Sequence, residues 1–135
     1  MNTQEMFDTA VNGVISQGRF SGTNTGCFYR HPDDGNIKCA VGHLIEDDVW
    51  KEAKSQDSNV GADYVSSETI RNLVNDSIGR EMTNKENNML RALQTKHDGC
   101  TKLQYQDNSL KGFVEQVKSV AKVYDLTMDN IIEVK

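Results

Sequence analysis

Cys27, His31, Cys39 and His43 stand at spacings suited to holding a metal ion, Cys27-x-x-x-His31 followed by Cys39-x-x-x-His43. Four such side chains are what a closed tetrahedral zinc site takes. On a helix, Cys39 and His43 lie one turn apart on one face, and on a strand Cys27 and His31 also share a face. The turn between the pairs, Pro32-Asp-Asp-Gly35, decides whether they converge. A three-residue loop with Pro32 opposite Asn36 puts Cys27 and Cys39 on one side, whereas a two-residue loop at Asp34-Gly35 puts them on opposite sides, because strand side chains alternate. Asp33-Asp34-Gly35 favours the three-residue form, with Gly35 in the left-handed position. The spacing is not a standard zinc signature, and a reduced cysteine is more often an inert core residue. The expected cofactor set is therefore none, with zinc at Cys27, His31, Cys39 and His43 as the exception to test.

A second chemistry is thiol nucleophilia. Cys39 falls at the start of a short helical segment, where the partial positive charge of the backbone lowers a thiol pKa and helps hold an oxyanion. His97 followed by Asp98 offers a base and its orienter, and His43 is a second candidate base. Against this, His97 follows Leu93 by one turn on an apolar stripe, where a histidine closing a helix end is the commoner role. No Gly-x-Ser-x-Gly elbow occurs. No catalytic residue is assigned, and the enzyme reading is the alternative rather than the first choice.

A third possibility is recognition. Tyr29, Arg30 and Trp50 are types enriched in interface hot spots. Glu46, Asp47 and Asp48, together with Asp33 and Asp34, give acidic character suited to a basic protein partner. The plainer account makes Trp50 core and the acids a solvated helix edge. No glycine-rich phosphate loop is present, so nucleotide binding lacks a motif. Sequestration of a small nucleotide signal by Arg30 and Tyr29 stays a further alternative.

The elements that must position these residues form a single domain over residues 1–135. At 135 residues, with 36% hydrophobic and 26% charged residues, the chain is long enough to bury a core without staples. A net charge of −5 disfavours nucleic acid and anionic membranes as partners. No apolar run reaches the roughly 18 residues of a spanning helix. The first residues lack the pattern of a signal peptide, so a cytoplasmic location with reduced cysteines is expected.

Met6, Phe7, Ala10, Val11, Val14 and Ile15 predict a helix over Thr3–Gln17, started by Asn2 with Glu5 and stopped by Gly18. Residues 28–30 and 36–38 predict a small hairpin, and Cys39–Ile45 a short helix. Glu46-Asp47-Asp48 either breaks that helix or begins another carrying Val49, Trp50 and Ala53. Residues 54–63 read as a loop. Ser66 or Ser67 opens a helix bearing Ile70, Leu73, Val74 and Ile78. Thr83-x-x-Glu86 is a capping box for a helix bearing Met89, Leu90, Leu93 and His97 and stopped by Gly99. Leu110, Phe113, Val114, Val117, Val120, Ala121 and Tyr124 predict a helix over Asp107–Asp125, and Thr127 a last turn. The expected class is α+β: a mostly helical domain of five to six helices with one small β-hairpin near residues 27–39.

At Cys27-Phe-Tyr-Arg30, Lys38-Cys-Ala-Val-Gly-His-Leu-Ile45 and Leu93-Gln-Thr-Lys-His-Asp98 the chain resembles a family of small proteins encoded by tailed phages and prophages. The likeness runs over about residues 5–126 and includes the Gln17-Gly18 helix end and the last amphipathic helix. Glu46 stands where the pattern has Pro, and Phe113 where it has Trp. The resemblance carries no assigned activity and transfers no catalytic residue. It implies a phage accessory protein acting in the host cytoplasm. The leading expectation is a non-enzymatic protein that binds and modulates a host protein, such as a defence or transcription component, through Tyr29, Arg30, Glu46, Asp47, Asp48 and Trp50.

Overall fold

The computed structural model describes residues 1–23, 26–27, 29–31, 35–56, 68–101 and 109–134. Helix α1 spans Thr3–Gln17. Its start is a reciprocal capping box: the Glu5 amide donates to Asn2 Oδ1 at 2.8 Å and the Asn2 amide to Glu5 Oε1 at 3.0 Å. Its end is Gly18, which takes a left-handed φ of 81° and donates its N–H to Ile15 O. The stripe from Met6 to Ile15 is buried, as its three- and four-residue spacing requires.

Helix α2 spans Asp47–Gln56, α3 Glu68–Ile78, α4 Asn84–Thr101 and α5 Ser109–Val123. A short 3₁₀ helix covers Val41–Leu44. Strands β1 (Gly22–Thr23) and β2 (Gly26–Cys27) form a two-residue antiparallel ladder. The core gathers α1, α4, α5 and the 3₁₀ turn around Phe7, Phe20, Leu93, His97 and Phe113. Phe20 meets Phe113 edge-on at 5.6 Å between ring centroids, a geometry that adds about 1 kcal/mol beyond area burial.

The α+β expectation is corrected to a helical fold. Among the described residues there is no β layer, only the short ladder and one isolated antiparallel bridge, Arg30 to Lys38. The bridge has the register that a three-residue loop requires. The pairing stops there because the chain turns into the 3₁₀ helix directly after Cys39, and a two-stranded hairpin is marginal without further strands. The turn itself, residues 32–34, and the Ser66/Ser67 cap lie outside the described residues. No described helix is long and apolar enough to cross a membrane.

Other boundaries also differ from expectation. α2 continues through Lys54 to Gln56, where a loop from residue 54 is expected, and residues 57–63 lie outside the described residues. α4 passes through Gly99 to Thr101, since a single glycine costs only about 1 kcal/mol in a helix and Cys100 is buried. Beyond α5, Asp125 takes a left-handed φ of 57°. Leu126 N–H donates to Ala121 O at 2.8 Å and closes the helix end. The chain then runs along α1 and makes a single turn there, closed by the Ile131 N–H to Met128 O at 3.0 Å. Gln4 exchanges two hydrogen bonds with the Thr127 backbone, and Asn12 binds Asn130 O and Ile132 N.

Candidate functional site

The segment from Tyr29 to Trp50 divides into an inner face and an outer face. On the inner face, Gly42 packs on the Tyr29 carbonyl so closely that a Cβ there would collide with the backbone oxygen. This contact folds the 3₁₀ turn onto the 29–31 segment and seals Cys39, which is fully buried. Cys39 Sγ accepts the Gly42 N–H at 3.3 Å. The neighbouring Gln94 carboxamide accepts Val41 N–H at 3.3 Å and donates to Asp98 Oδ1 at 2.9 Å. Burial, reinforced by the Asp98 charge, pushes the Cys39 thiol up to about 12 despite its hydrogen bonds. A helix-start thiol is activated only where the ring of backbone N–H groups outweighs desolvation, and here it does not.

His97 and Asp98 join the same buried network. His97 Nδ1 pairs with Asp98 Oδ1 at 3.0 Å, and Nε2 accepts the Ser21 amide at 3.2 Å. This makes the ring the Nδ1–H tautomer. Phe20 lies edge-on to it at 5.4 Å. His97 sits one turn before the end of α4, with no exposed surface. Its acceptor nitrogen is spent on the Ser21 backbone, so the imidazole is a tie between α4 and the 20–21 segment. Cys39, Gln94 and His97 are thus brought together in the core, with the partly exposed Asp98 at the edge of their network.

His43 turns the other way. Its Nε2 meets Gln17 Oε1 at 2.9 Å, and its ring lies against Gly13, where any Cβ would collide with it. Gln17 also clamps the Lys38 backbone, accepting its N–H at 2.9 Å and donating to its carbonyl at 2.6 Å. Burial lowers the His43 pKa to about 4, helped by the nearby positive charges of Lys38 and Arg30. Of the four zinc-type residues, His31 and Cys39 are buried and His43 is half-buried. The Cys27 side chain lies outside the described residues. Among those described, no three His, Cys, Asp or Glu side chains form a metal cage.

On the outer face, Tyr29 and Trp50 are buried. Arg30 is drawn inward. Its guanidinium donates to Asp47 Oδ1 at 2.7 Å and to Ile45 O at 3.0 Å, and lies 5.1 Å from the Trp50 ring centre. Lys38 reaches the same Asp47 oxygen at 3.3 Å. The Arg30 hydrogen bond, with Lys38 beside it, holds the Asp47 carboxyl below its ordinary value. Arg30 and Lys38, through Asp47 and the Trp50 ring, therefore tie residues 30 and 38 to α2. Glu46, Asp47 and Asp48 stay exposed and form an acidic edge at the start of α2, where helix polarity favours them.

Sequence reasoning missed Gln17 and Gln94. Both continue apolar stripes, Gln17 three residues after Val14 and Gln94 four after Leu90. An amide in a core register is the available signal, because a buried carboxamide must find partners. No family model, curated protein or solved structure matches the chain.

Proposed function

We propose that this chain is a non-enzymatic binding protein, a phage-encoded accessory protein that docks on a host protein and modulates it. The observation that carries the reading is the exposed acidic edge at the start of α2, where Glu46 and Asp48 flank the Arg30-paired Asp47 and whose charge suits a basic protein surface. The motif resemblance supplies the phage setting. The sealed state of Cys39 and the engaged nitrogens of His97 weigh against the thiol-enzyme alternative.

A pull-down from bacterial lysate tests it. A stoichiometric partner is expected that elutes with salt and is lost in the Glu46→Lys, Asp48→Lys variant. No specific partner, combined with turnover of a substrate that disappears in Cys39→Ala, would overturn the proposal.

A further inference from the structure

We infer that the groove between α2 and α3 seats a cationic, amphipathic helical segment of the partner. The inference rests on the binding-protein reading and deepens it. The groove has a volume of about 380 Å³, near the small end of the roughly 300–1,000 Å³ range of ligand pockets. It is open to solvent rather than enclosed, so it suits side chains delivered by another helix rather than a buried small molecule. Its floor is apolar, built from Val49 and Ala53 of α2 and Leu73 of α3. Exposed carboxylates stand on both rims: Asp48 and Glu52 on α2, and Asp76 on α3. Among the described residues, no lysine or arginine lines it.

Two features select the occupant. Val49 and Ala53 stand four residues apart, as do Asp48 and Glu52, so the apolar and acidic positions repeat together once per helical turn. A facing helix with aliphatic residues on one stripe and Lys or Arg on the flanks matches both repeats, in the helix-in-groove manner. Charge complementarity then excludes the other cation-free classes: phosphate-rich nucleic acid and anionic lipid are repelled by all three carboxylates. Lys54 of α2 is turned toward the Trp50 ring, its ammonium 5.9 Å from the ring centre, and is not among the residues lining the groove.

The test is fluorescence anisotropy on the full chain with a labelled 15-residue Lys/Leu peptide patterned as an amphipathic helix. Matched Lys/Ser and Glu/Leu peptides serve as controls. The Lys/Leu peptide is expected to bind, and each control to bind at least tenfold more weakly. Ala53→Trp, which fills the groove, and the combined Asp48→Asn, Glu52→Gln, Asp76→Asn variant are each expected to weaken binding at least tenfold. Circular dichroism checks that both remain folded. Equal binding of the Lys/Ser peptide, or no effect of either variant, overturns the groove. So does self-association that Ala53→Trp abolishes, since a second copy would then be the occupant.

A photo-crosslinking residue at position 52, and another at the exposed Lys118 of α5, separates this inference from the reading beneath it. Partner crosslinked only from 118 overturns the groove and leaves the binding function standing. Crosslinks from neither position overturn both.

Discussion

Cys39 shows how little a residue type says about reactivity until its surroundings are known. With its thiol pushed up to about 12, the thiolate fraction at neutral pH is on the order of a thousandfold below that of a free cysteine. Iodoacetamide at pH 8 is therefore expected to leave Cys39 unlabelled in the folded protein and to label it in denaturant, read by peptide mass spectrometry. Fast native labelling would restore the nucleophile reading. Gly13 and His43 form a second residue-scale couple, because the glycine exists to admit the ring. Gly13→Ala is expected to cost about 1–3 kcal/mol through overpacking. The cost should shrink by roughly 1 kcal/mol or more in a His43→Ala background, since the clash is then absent. Equal costs in both backgrounds, measured by urea unfolding, would mean that the ring does not lean on Gly13.

At the scale of elements, helix ends and inter-element ties are set by single side chains. Glu86 is the N3 residue of α4's capping box, bonded with the Thr83 amide. It also receives two hydrogen bonds from Arg80 and one from Thr3 Oγ1. One carboxylate thus joins the α3–α4 turn to the first turn of α1. Glu86→Gln weakens charge-assisted bonds at a nearly buried site and is expected to cost about 2–3 kcal/mol. At the other end of the chain, Asp125 closes α5 with a left-handed backbone. Asp125→Gly is expected to stabilise by up to about 1 kcal/mol, because glycine carries no Cβ penalty there. A lower melting temperature for Asp125→Gly would show that the aspartate makes a compensating contact.

For the whole molecule, His43 and Glu86 both make stability fall with acid. His43 is neutral when folded, with a pKa near 4 against an ordinary 6.5. Its contribution is complete above pH 6.5 and is lost as pH falls toward 4, because the unfolded chain takes up the proton first. Glu86 is held near 2 against an ordinary 4.5 by Arg80, then by Thr83 and Thr3. Its contribution is complete above 4.5 and drains away as pH falls toward 2. Urea midpoints are expected to decline in two stages across these windows. His43→Gln should flatten the upper stage and Glu86→Gln the lower. A decline that keeps its full slope in both variants would place the acid sensitivity elsewhere.

The helices were legible in the sequence because local rules govern them. The Thr3–Gln17 bounds, its Asn2 and Gly18 caps and the Thr83–Glu86 box are set by neighbours a few residues apart. So is the apolar stripe of α5. The acidic start of α2 was one of two readings of Glu46-Asp47-Asp48, and the structure selects the helix start. What the sequence left open were choices that depend on distant groups. Arg30 bends inward because Asp47 and the Trp50 ring await it, and Cys39 is silenced because the Gly42–Tyr29 contact closes over it. His97 looks like a helix-end residue until the Ser21 amide, 76 positions away, claims its nitrogen. Periodicity says which side of a helix faces inward. Whether an inward polar group meets water, a partner or a closed wall is decided only when the other elements pack against it.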